Sequence, residues 1–486
     1  YGNSMPQYGK PSIESKSAPF FTYGGGFREI IHDGNFCVDG LVNPDRIPST
    51  GLLALKNVIA PVSIDAHNIT FTKQTYSFTN RMDFTNLEEF DILYTIKTPS
   101  QVFAQGVLNV NCAPHCTVCE SIDFTFPEFS FEEFFIEFSC KLKKDTVWAH
   151  AGHELGFKQI KLPVLQTIPE TETTSSMPPM SFNFSEENEK GILTINGEDF
   201  TYTFDMTKGV FTSLLFNDVE MLASSPEFSI YRAPTDNDQY IKNQWRNCNM
   251  HISSQQPYSC TVLSKGSKYI TLLASYSIAA PSFMPFVKFS VLWAIYGNGE
   301  IGVGVTADVR PGTPTLPRFG LEFKMPAGNE FVSYYGYGPF SSYCDLKQHC
   351  KRGIFHSTVT NEFTPYIFPQ ETGNHFGVQW AIVHDAEGRG IMVKGMPEVE
   401  FSALHYTAKD LDEASLANHL VPLPETVVRI DYKQAGIGSN SCGPELLPKY
   451  KFDEKQFLYS FTFKPLFTES TDILRESRTL PGITEV

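Results

Sequence analysis

The chain has 486 residues, of which 41% are hydrophobic and 19% charged, with a formal charge of −16. That length gives room for two to four domains, each with its own core. The acidic balance repels phosphate backbones and argues against a nucleic-acid partner. No apolar run approaches the roughly 18 residues of a membrane span.

Aromatic residues make up 14% of the chain and Phe alone occurs 41 times. Phe and Tyr favour strands, so the composition points toward β structure. The first residue is Tyr1, and the polar, Gly- and Pro-bearing sequence after it resembles neither a signal peptide nor an ordinary start. The sequence therefore reads as a piece of a longer protein.

Residues 1–58 begin Gly- and Pro-rich and end in a helical pattern. Ser49 is placed to cap it, and Leu52, Leu53, Leu55 and Val58 form one apolar stripe. A lone helix of this length is marginal in water and must dock on something larger.

Residues 59–165 read as strands. Ile69–Thr72, Phe90–Ile96, Gln105–Val110 and Phe134–Phe138 alternate or nearly alternate, with turn residues between them. The acidic, aromatic run Phe124–Phe138 is also read as strand. About seven short strands in about 100 residues suit an immunoglobulin-like sandwich.

Ten cysteines over this length do not make a disulfide scaffold, and a reducing, cytoplasmic setting is expected. Cys112, Cys116 and Cys119, with His115 between them, have donors for zinc but lack a second ligand pair. Reduced cysteines on a strand and its adjoining loop are the expectation.

Residues 166–180 are dominated by Thr, Ser, Pro and Glu without periodicity and read as a linker. From 181 to 486 the pattern is again β. Ile192–Ile195, Asn196-Gly197 and Phe200–Phe204 form a hairpin signature with a predicted type I′ turn. Val287–Trp293 and Ile301–Thr306 flank Gly297–Gly299, and Val427–Tyr432 and Phe457–Phe463 bracket a Gly/Pro/Ser loop. A large antiparallel sandwich is expected, so the fold class of the whole chain is mainly β.

Several separated segments carry a resemblance. They are YGGGFREIIHDGNFCVDGLVNPDR at 23–46, Val147–Glu154 (VWAHAGHE), Tyr231–Asp238 (YRAPTDND), Tyr337-Gly-Pro339, Thr364–Asn374 (TPYIFPQETGN) and Tyr432–Pro444 (YKQAGIGSNSCGP). In this order they resemble the C-terminal part of bacterial-type β-galactosidases of glycoside hydrolase family 2. The resemblance implies the remnant of a (β/α)₈ barrel, then an immunoglobulin-like sandwich, then a large β-sandwich of the small-chain type.

It also implies a chemistry. Retaining hydrolysis of terminal β-D-galactosides, of the lactose type, needs two carboxyl groups about 5–5.5 Å apart. In the family both are glutamates on barrel strands before the YGG segment. A full barrel takes about 250 residues, whereas only residues 1–58 are read as barrel here. Gly2-Asn3-Ser4 is similar to the residues after the family nucleophile, but the match does not continue, and no catalytic residue is assigned in this chain. Activity is then expected only with a barrel-bearing chain or N-terminal half. Homo-oligomers are common in the family, and an exposed apolar patch is expected over residues 20–60.

The resemblance places a monovalent cation, sodium or potassium, on the backbone carbonyl of Phe36 and on Asp39, with Asp39 also touching the sugar. Both positions supply the oxygen donors a hard cation prefers. His32 stands where the family commonly has an Asn near magnesium. Imidazole is a poor magnesium ligand, which leaves His32 an unsuited metal residue. Gly26 replaces a usual acid.

Arg232, Asp236 and Asp238 are read as bracing a loop beside the active-site mouth. Cys442 stands where some relatives carry an aromatic residue, and a buried or half-buried thiol is expected there. His405 and Trp380 are read as a satisfied histidine and a strand-packed aromatic. The acids Glu29, Asp33 and Asp39 are read as turn or solvated groups. The alternative for the whole chain is a non-catalytic carbohydrate-binding or assembly module.

Overall fold

The computed structural model describes residues 6–7, 20–26, 28–166, 170–186, 189–438 and 440–481. Gly2-Asn3-Ser4, Phe27, Ser439 and part of the 166–180 stretch lie outside the described residues. The chain divides into two compact units. The smaller holds Pro48–Pro169 and Gln348–Ile354, and the larger holds Tyr1–Ile47, Glu170–Lys347 and Phe355–Val486.

The smaller unit is a sandwich. One three-stranded sheet orders Val62–Ile69, Lys73–Asn80 and Thr117–Asp123. The four-stranded sheet orders Glu154–Lys161, Phe135–Leu142, Phe90–Lys97 and Val102–Leu108. Strand pairing within both sheets is antiparallel. Alternation puts Tyr76, Phe78, Ile92, Ile96, Ile136 and Phe138 into one core, where Phe138 meets Tyr76 and Phe78 edge-on.

Two strand expectations need correction here. Residues 70–72 turn between paired strands, because Thr70 exchanges hydrogen bonds with Lys73 across the hairpin end. Within 124–138, strand is confined to Phe129–Ser130 and to the residues from Phe135 onward. Phe126 and Phe134 are buried while Phe129 and Phe131 are exposed, so in this run two aromatics enter the core from outside a strand.

The helix Thr50–Val58 belongs to the smaller unit, and Ser49 caps it by accepting the Leu52 amide at 3.1 Å. Replacing Ser49 by Ala is expected to cost the smaller unit about 1 kcal/mol. Urea unfolding followed at Trp148, the tryptophan of that unit, would check it; an unchanged midpoint would refute the cap.

A clasp of charges closes the same unit. The Glu133 carboxylate is buried between the guanidinium of Arg352 at 2.5 Å and the ammonium of Lys161. Gln159 exchanges both amide bonds with the Arg352 backbone, at 2.8 and 2.9 Å. All ten cysteines are free thiols. The Cys112 thiol donates to the Cys116 carbonyl and His115 reaches Asp83 at 2.9 Å. Among the described residues no His, Cys, Asp and Glu group is arranged to hold a metal.

A twelve-stranded sheet, eleven of whose strands lie wholly in the larger unit, carries most of that unit's structure. Its main path orders Ser224–Ser229, Arg318–Met325, Thr426–Gln434, Arg389–Leu404, Gln456–Phe467, Ile301–Val309, Val287–Tyr296, Tyr269–Ala279 and Ser254–Lys265. His375–His384 pairs with Arg389–Leu404 and Phe331–Gly338 off that path. A five-stranded sheet runs from Ser181 to Glu220, and its Phe204 and Phe211 meet Trp293 of the large sheet edge-on in one core.

The Gly197 hairpin forms with Asn196 opposite Thr201, but not with a type I′ turn. Neither Asn196 nor Gly197 has positive φ. Gly197 N–H donates to the Phe200 carbonyl at 2.9 Å, so the chain reverses at Glu198 and Asp199, just beyond the Asn-Gly pair. Gly197 is needed for space instead, since a Cβ there would lie 2.1 Å from the Phe200 ring.

Within the 166–180 stretch, Glu170–Glu172 pairs in parallel with Thr479–Pro481, and Met177 is buried against Ala294 and Tyr296. Among the described residues no helix is long and apolar enough to cross a membrane.

Candidate functional site

The segment 20–47 folds on itself before it meets the sandwich. Gly25 has φ +91°, a left-handed conformation that suits glycine, and its amide donates to the Glu29 carboxylate at 2.6 Å. Gly26 has no room for a side chain, since a Cβ would stand 2.1 Å from the Thr22 hydroxyl oxygen. In this turn, therefore, the family's usual acid could not be accommodated without movement. Glu29 serves as the turn-holding group.

His32 closes the same loop. Its Nδ1 accepts the Gly34 amide at 3.1 Å, and its ring lies beneath Gly25. That nitrogen is thereby used within the loop, where it holds the Gly34 amide. Gly34–Cys37 forms a single 3-10 turn with no buried residue. Phe36 sits in it at 61% exposure, and Asp39 follows exposed. One carbonyl and one carboxylate are hard oxygen donors and suit a monovalent cation in type.

Two anchors tie this segment to the sandwich within the larger unit. Tyr23 packs edge-on against Phe368 with centroids 5.7 Å apart, and its hydroxyl donates to the Ser415 carbonyl. The Asn35 amide Nδ2 donates to Asp236 Oδ1 at 2.5 Å. Burial pushes the Asp236 carboxyl above its ordinary range, opposed by its bonds from Gln370 and Asn35. Around these anchors Ile30 and Ile31 are each 97% exposed, and Leu41 and Ile47 are exposed too. In the smaller unit Leu55, Val58 and Ile59 are exposed.

The loop Arg232–Asp238 is braced as its charges imply. Arg232 is fully buried and donates to both oxygens of Asp238, at 2.9 and 3.1 Å. It also donates to the Ala435 carbonyl and, at 3.2 Å, to that of Gly436. Asp238 in turn accepts the Thr235 amide at 2.9 Å. Asn237 Nδ2 reaches the Ile437 carbonyl at 2.7 Å. On the other side Asp345 accepts the amides of Ile437 and Gly438, at 3.1 and 2.8 Å. Asp345 stands 2.7 Å from where a Cβ of Gly436 would be, which accounts for the small residue there.

The Thr364–Asn374 loop is fixed from below. Arg318 donates to Glu371 at 2.8 Å and pairs with Asp431 at 3.2 Å, with all three side chains buried. The neighbouring Gln370 exchanges two bonds with Asp236, accepting its amide and donating to its carboxylate, each at 3.1 Å. Three segments far apart in sequence thus meet around Asp236 and Asp238. Beside them opens a cleft of about 310 Å³ lined by Asn237, Tyr240, Gln244, Glu445 and Lys451, among others.

Cys442 lies exposed, contrary to the expected buried or half-buried thiol, because the loop around it extends into solvent with Gly443 in open space. His405 is satisfied by Glu330 at 2.8 Å and the Glu425 carbonyl at 3.0 Å, and Trp380 is buried in its strand. Sequence reasoning did not single out Asn35, Arg318, Asp345, Gln370 or Glu371. Asn35, Gln370 and Glu371 stood inside quoted motifs, and that was their available signal.

Residues 20–47 thus form a loop hydrogen-bonded onto a large antiparallel sandwich, and comparison with known proteins places this arrangement among the glycoside hydrolases. Residues 5–64 match the family described as glycosyl hydrolases family 2, TIM barrel domain. Residues 76–163 match beta-galactosidase, domain 4, and residues 196–464, more than half the chain, match beta galactosidase small chain. The chain belongs to the β-galactosidase small-chain family of glycoside hydrolase family 2.

It is 31% identical over 446 residues to the β-galactosidase of Actinobacillus pleuropneumoniae, covering 91% of this chain and 42% of that protein. It is 30% identical to the Priestia megaterium β-galactosidase, covering 92% of this chain and 43% of that one. The Kluyveromyces lactis enzyme is 27% identical, with 93% and 42% covered. The chain thus spans under half the length of these relatives.

Proposed function

We propose that this chain is the C-terminal portion of a β-galactosidase that hydrolyses terminal β-D-galactosides with retention. In this reading both reactive carboxylates come from barrel residues beyond these 486. Its own contribution is to hold the last barrel loop. The observation that carries the reading is the bond from Asn35 to Asp236, which joins the loop bearing Phe36 and Asp39 to the sandwich. Phe36, through its carbonyl, and Asp39 would hold a monovalent cation, and Asp39 would also meet the sugar.

A bound cation supplies fixed positive charge that orients sugar hydroxyls. The exposed Ile30, Ile31, Phe36 and Leu41 are then the face that the barrel covers, because unpartnered apolar patches of this kind mark contact surfaces. The division into a barrel end, an immunoglobulin-like sandwich and a small-chain sandwich is part of the same reading, as is a reducing, cytoplasmic setting.

The test is an assay with a chromogenic β-galactoside. The purified chain is expected to show no turnover, because losing the covalent carboxylate removes many powers of ten in rate. The chain mixed with, or fused behind, the barrel-bearing part of the Actinobacillus pleuropneumoniae relative is expected to turn over. Turnover by the chain alone would overturn the need for the barrel. An inactive but folded assembly would overturn the galactosidase reading.

A further inference from the structure

We propose that Asp236 and Gln370 form a latch that grips Asn35 and thereby sets the Gly34–Cys37 turn. Asp236 divides its carboxylate between two donors. Oδ1 accepts Asn35 Nδ2 at 2.5 Å, and Oδ2 accepts Gln370 Nε2 at 3.1 Å. Gln370 returns a bond by accepting the Asp236 amide at 3.1 Å, so the carboxylate cannot rotate without losing the pair. Gln370 is itself steadied by the Phe368 carbonyl at 3.2 Å and by its neighbour Glu371, which Arg318 holds at 2.8 Å.

Asn35 is a suitable handle for the turn. Its side chain reaches Asp236, and its own carbonyl accepts the Val38 amide at 2.9 Å, which closes the turn around Phe36. No residue of Gly34–Cys37 is buried, so core packing does not fix this turn. A short hydrogen bond to a carboxylate is among the stronger devices available for the task. Asp236 and Gln370 are positioning residues. They act by orienting the Phe36 carbonyl and the approach to Asp39. This last step rests on the cation reading given above.

The test begins on the chain itself with hydrogen exchange. In Asp236→Ala and Asn35→Ala the amides of residues 34–38 are expected to exchange about tenfold faster or more, while those of Val287–Tyr296 stay unchanged. The exchanged pair Asn35→Asp with Asp236→Asn is expected to restore protection. The side-chain amide introduced at position 236 can turn its oxygen to Gln370 and its nitrogen to the carboxylate introduced at position 35. Both bonds then survive, the one to position 35 with its polarity reversed.

In the assembly with the barrel-bearing part, Asp236→Ala is expected to raise the sodium concentration for half activation about tenfold. Turnover at saturating sodium should be kept, and the exchanged pair should recover the wild-type value. Unchanged protection of residues 34–38 in Asp236→Ala would overturn the latch. So would an exchanged pair that behaves like Asp236→Ala, or an unmoved sodium dependence. An assembly whose wild type fails to turn over defeats the galactosidase reading, and the exchange result still decides the latch.

Discussion

Replacing Arg318 by Met is expected to destabilise the larger unit by about 3–5 kcal/mol. The guanidinium is 2% exposed and stands between Glu371 and Asp431, themselves 4% and 1% exposed. Removing it strands two carboxylates in a medium that solvates them poorly, and the loss of the remaining charge balance exceeds the loss of the bonds themselves. Arg429 lies 3.5 Å from Asp431 and can take up part of that charge, but it already holds Glu322. Glu371 keeps the field of the buried Arg232, so each carboxylate retains a more distant cation while losing its direct partner.

Calorimetry would show the transition of the larger unit falling by about 5 °C or more. Arg318→Lys should be intermediate, since a point charge cannot span both carboxylates as a planar fork does. A Met variant within about 1 kcal/mol of the wild type would refute the assignment. The change should also reach the surface. Arg318 holds Glu371, Gln370 beside it holds Asp236, and Asp236 holds Asn35.

Stability of the larger unit is expected to carry a falling component between about pH 4.5 and 7 that belongs to Glu400. Burial pushes this carboxyl up to about 7 from its usual 4.5, and Asp431, its partner across the strand pair, adds to the rise. The Gln434 amide at 3.1 Å and Asn374 Nδ2 at 2.7 Å donate to it and limit the shift. The sign follows from proton counting. Between the two values the folded chain holds a proton that the unfolded chain has released, so stability declines as pH rises and levels off above about 7. The full amplitude is roughly 3 kcal/mol.

Other groups oppose this trend. Burial raises the Glu362 carboxyl, but the His375 contact at 2.5 Å outweighs it, and the carboxyl ends below its ordinary range. That carboxyl adds stability above its unfolded value and loses it on acidification. The Glu400 component is isolated by comparing wild type with Glu400→Gln, which cannot titrate. Their difference in unfolding free energy should change by roughly 3 kcal/mol between about pH 5 and pH 8. A difference that stays constant across that range would show that Glu400 does not titrate there.

Much of the architecture was legible because it is written in local pattern. Period-2 alternation marked Phe90–Lys97, Phe135–Leu142 and the strand pair Val287–Tyr296 and Ile301–Val309. Ser49 announced its helix because a cap acts only three residues away. Local pattern failed where one residue type serves two ends. Ile69–Thr72 alternates, yet it sits at a hairpin end, and within Phe124–Phe134 the buried Phe126 and Phe134 lie outside the strands. Asn196-Gly197 has the composition of a type I′ turn, but Gly197 bonds across to Phe200 and the chain reverses at the next two residues.

The site divides in the same way. Arg232 and Asp238 are six residues apart, and their pairing could be read from the sequence because a loop that short brings both to one place. Asn35 and Asp236 are 201 residues apart, and Arg318 and Glu371 are 53 apart. Nothing in either side chain names its partner, because a hydrogen bond has a range of about 3 Å and carries no sequence address.

The sequence by itself determined the family, the β class and the charge-braced loop, since these rest on residue order and on contacts within a few positions. Only the tertiary structure decided that Asp236 faces Asn35, that Arg318 underlies the Thr364–Asn374 loop and that Cys442 lies in solvent. Those outcomes depend on which strand ends the twelve-stranded sheet brings side by side, and that is fixed by the packing of the whole core rather than by any one segment.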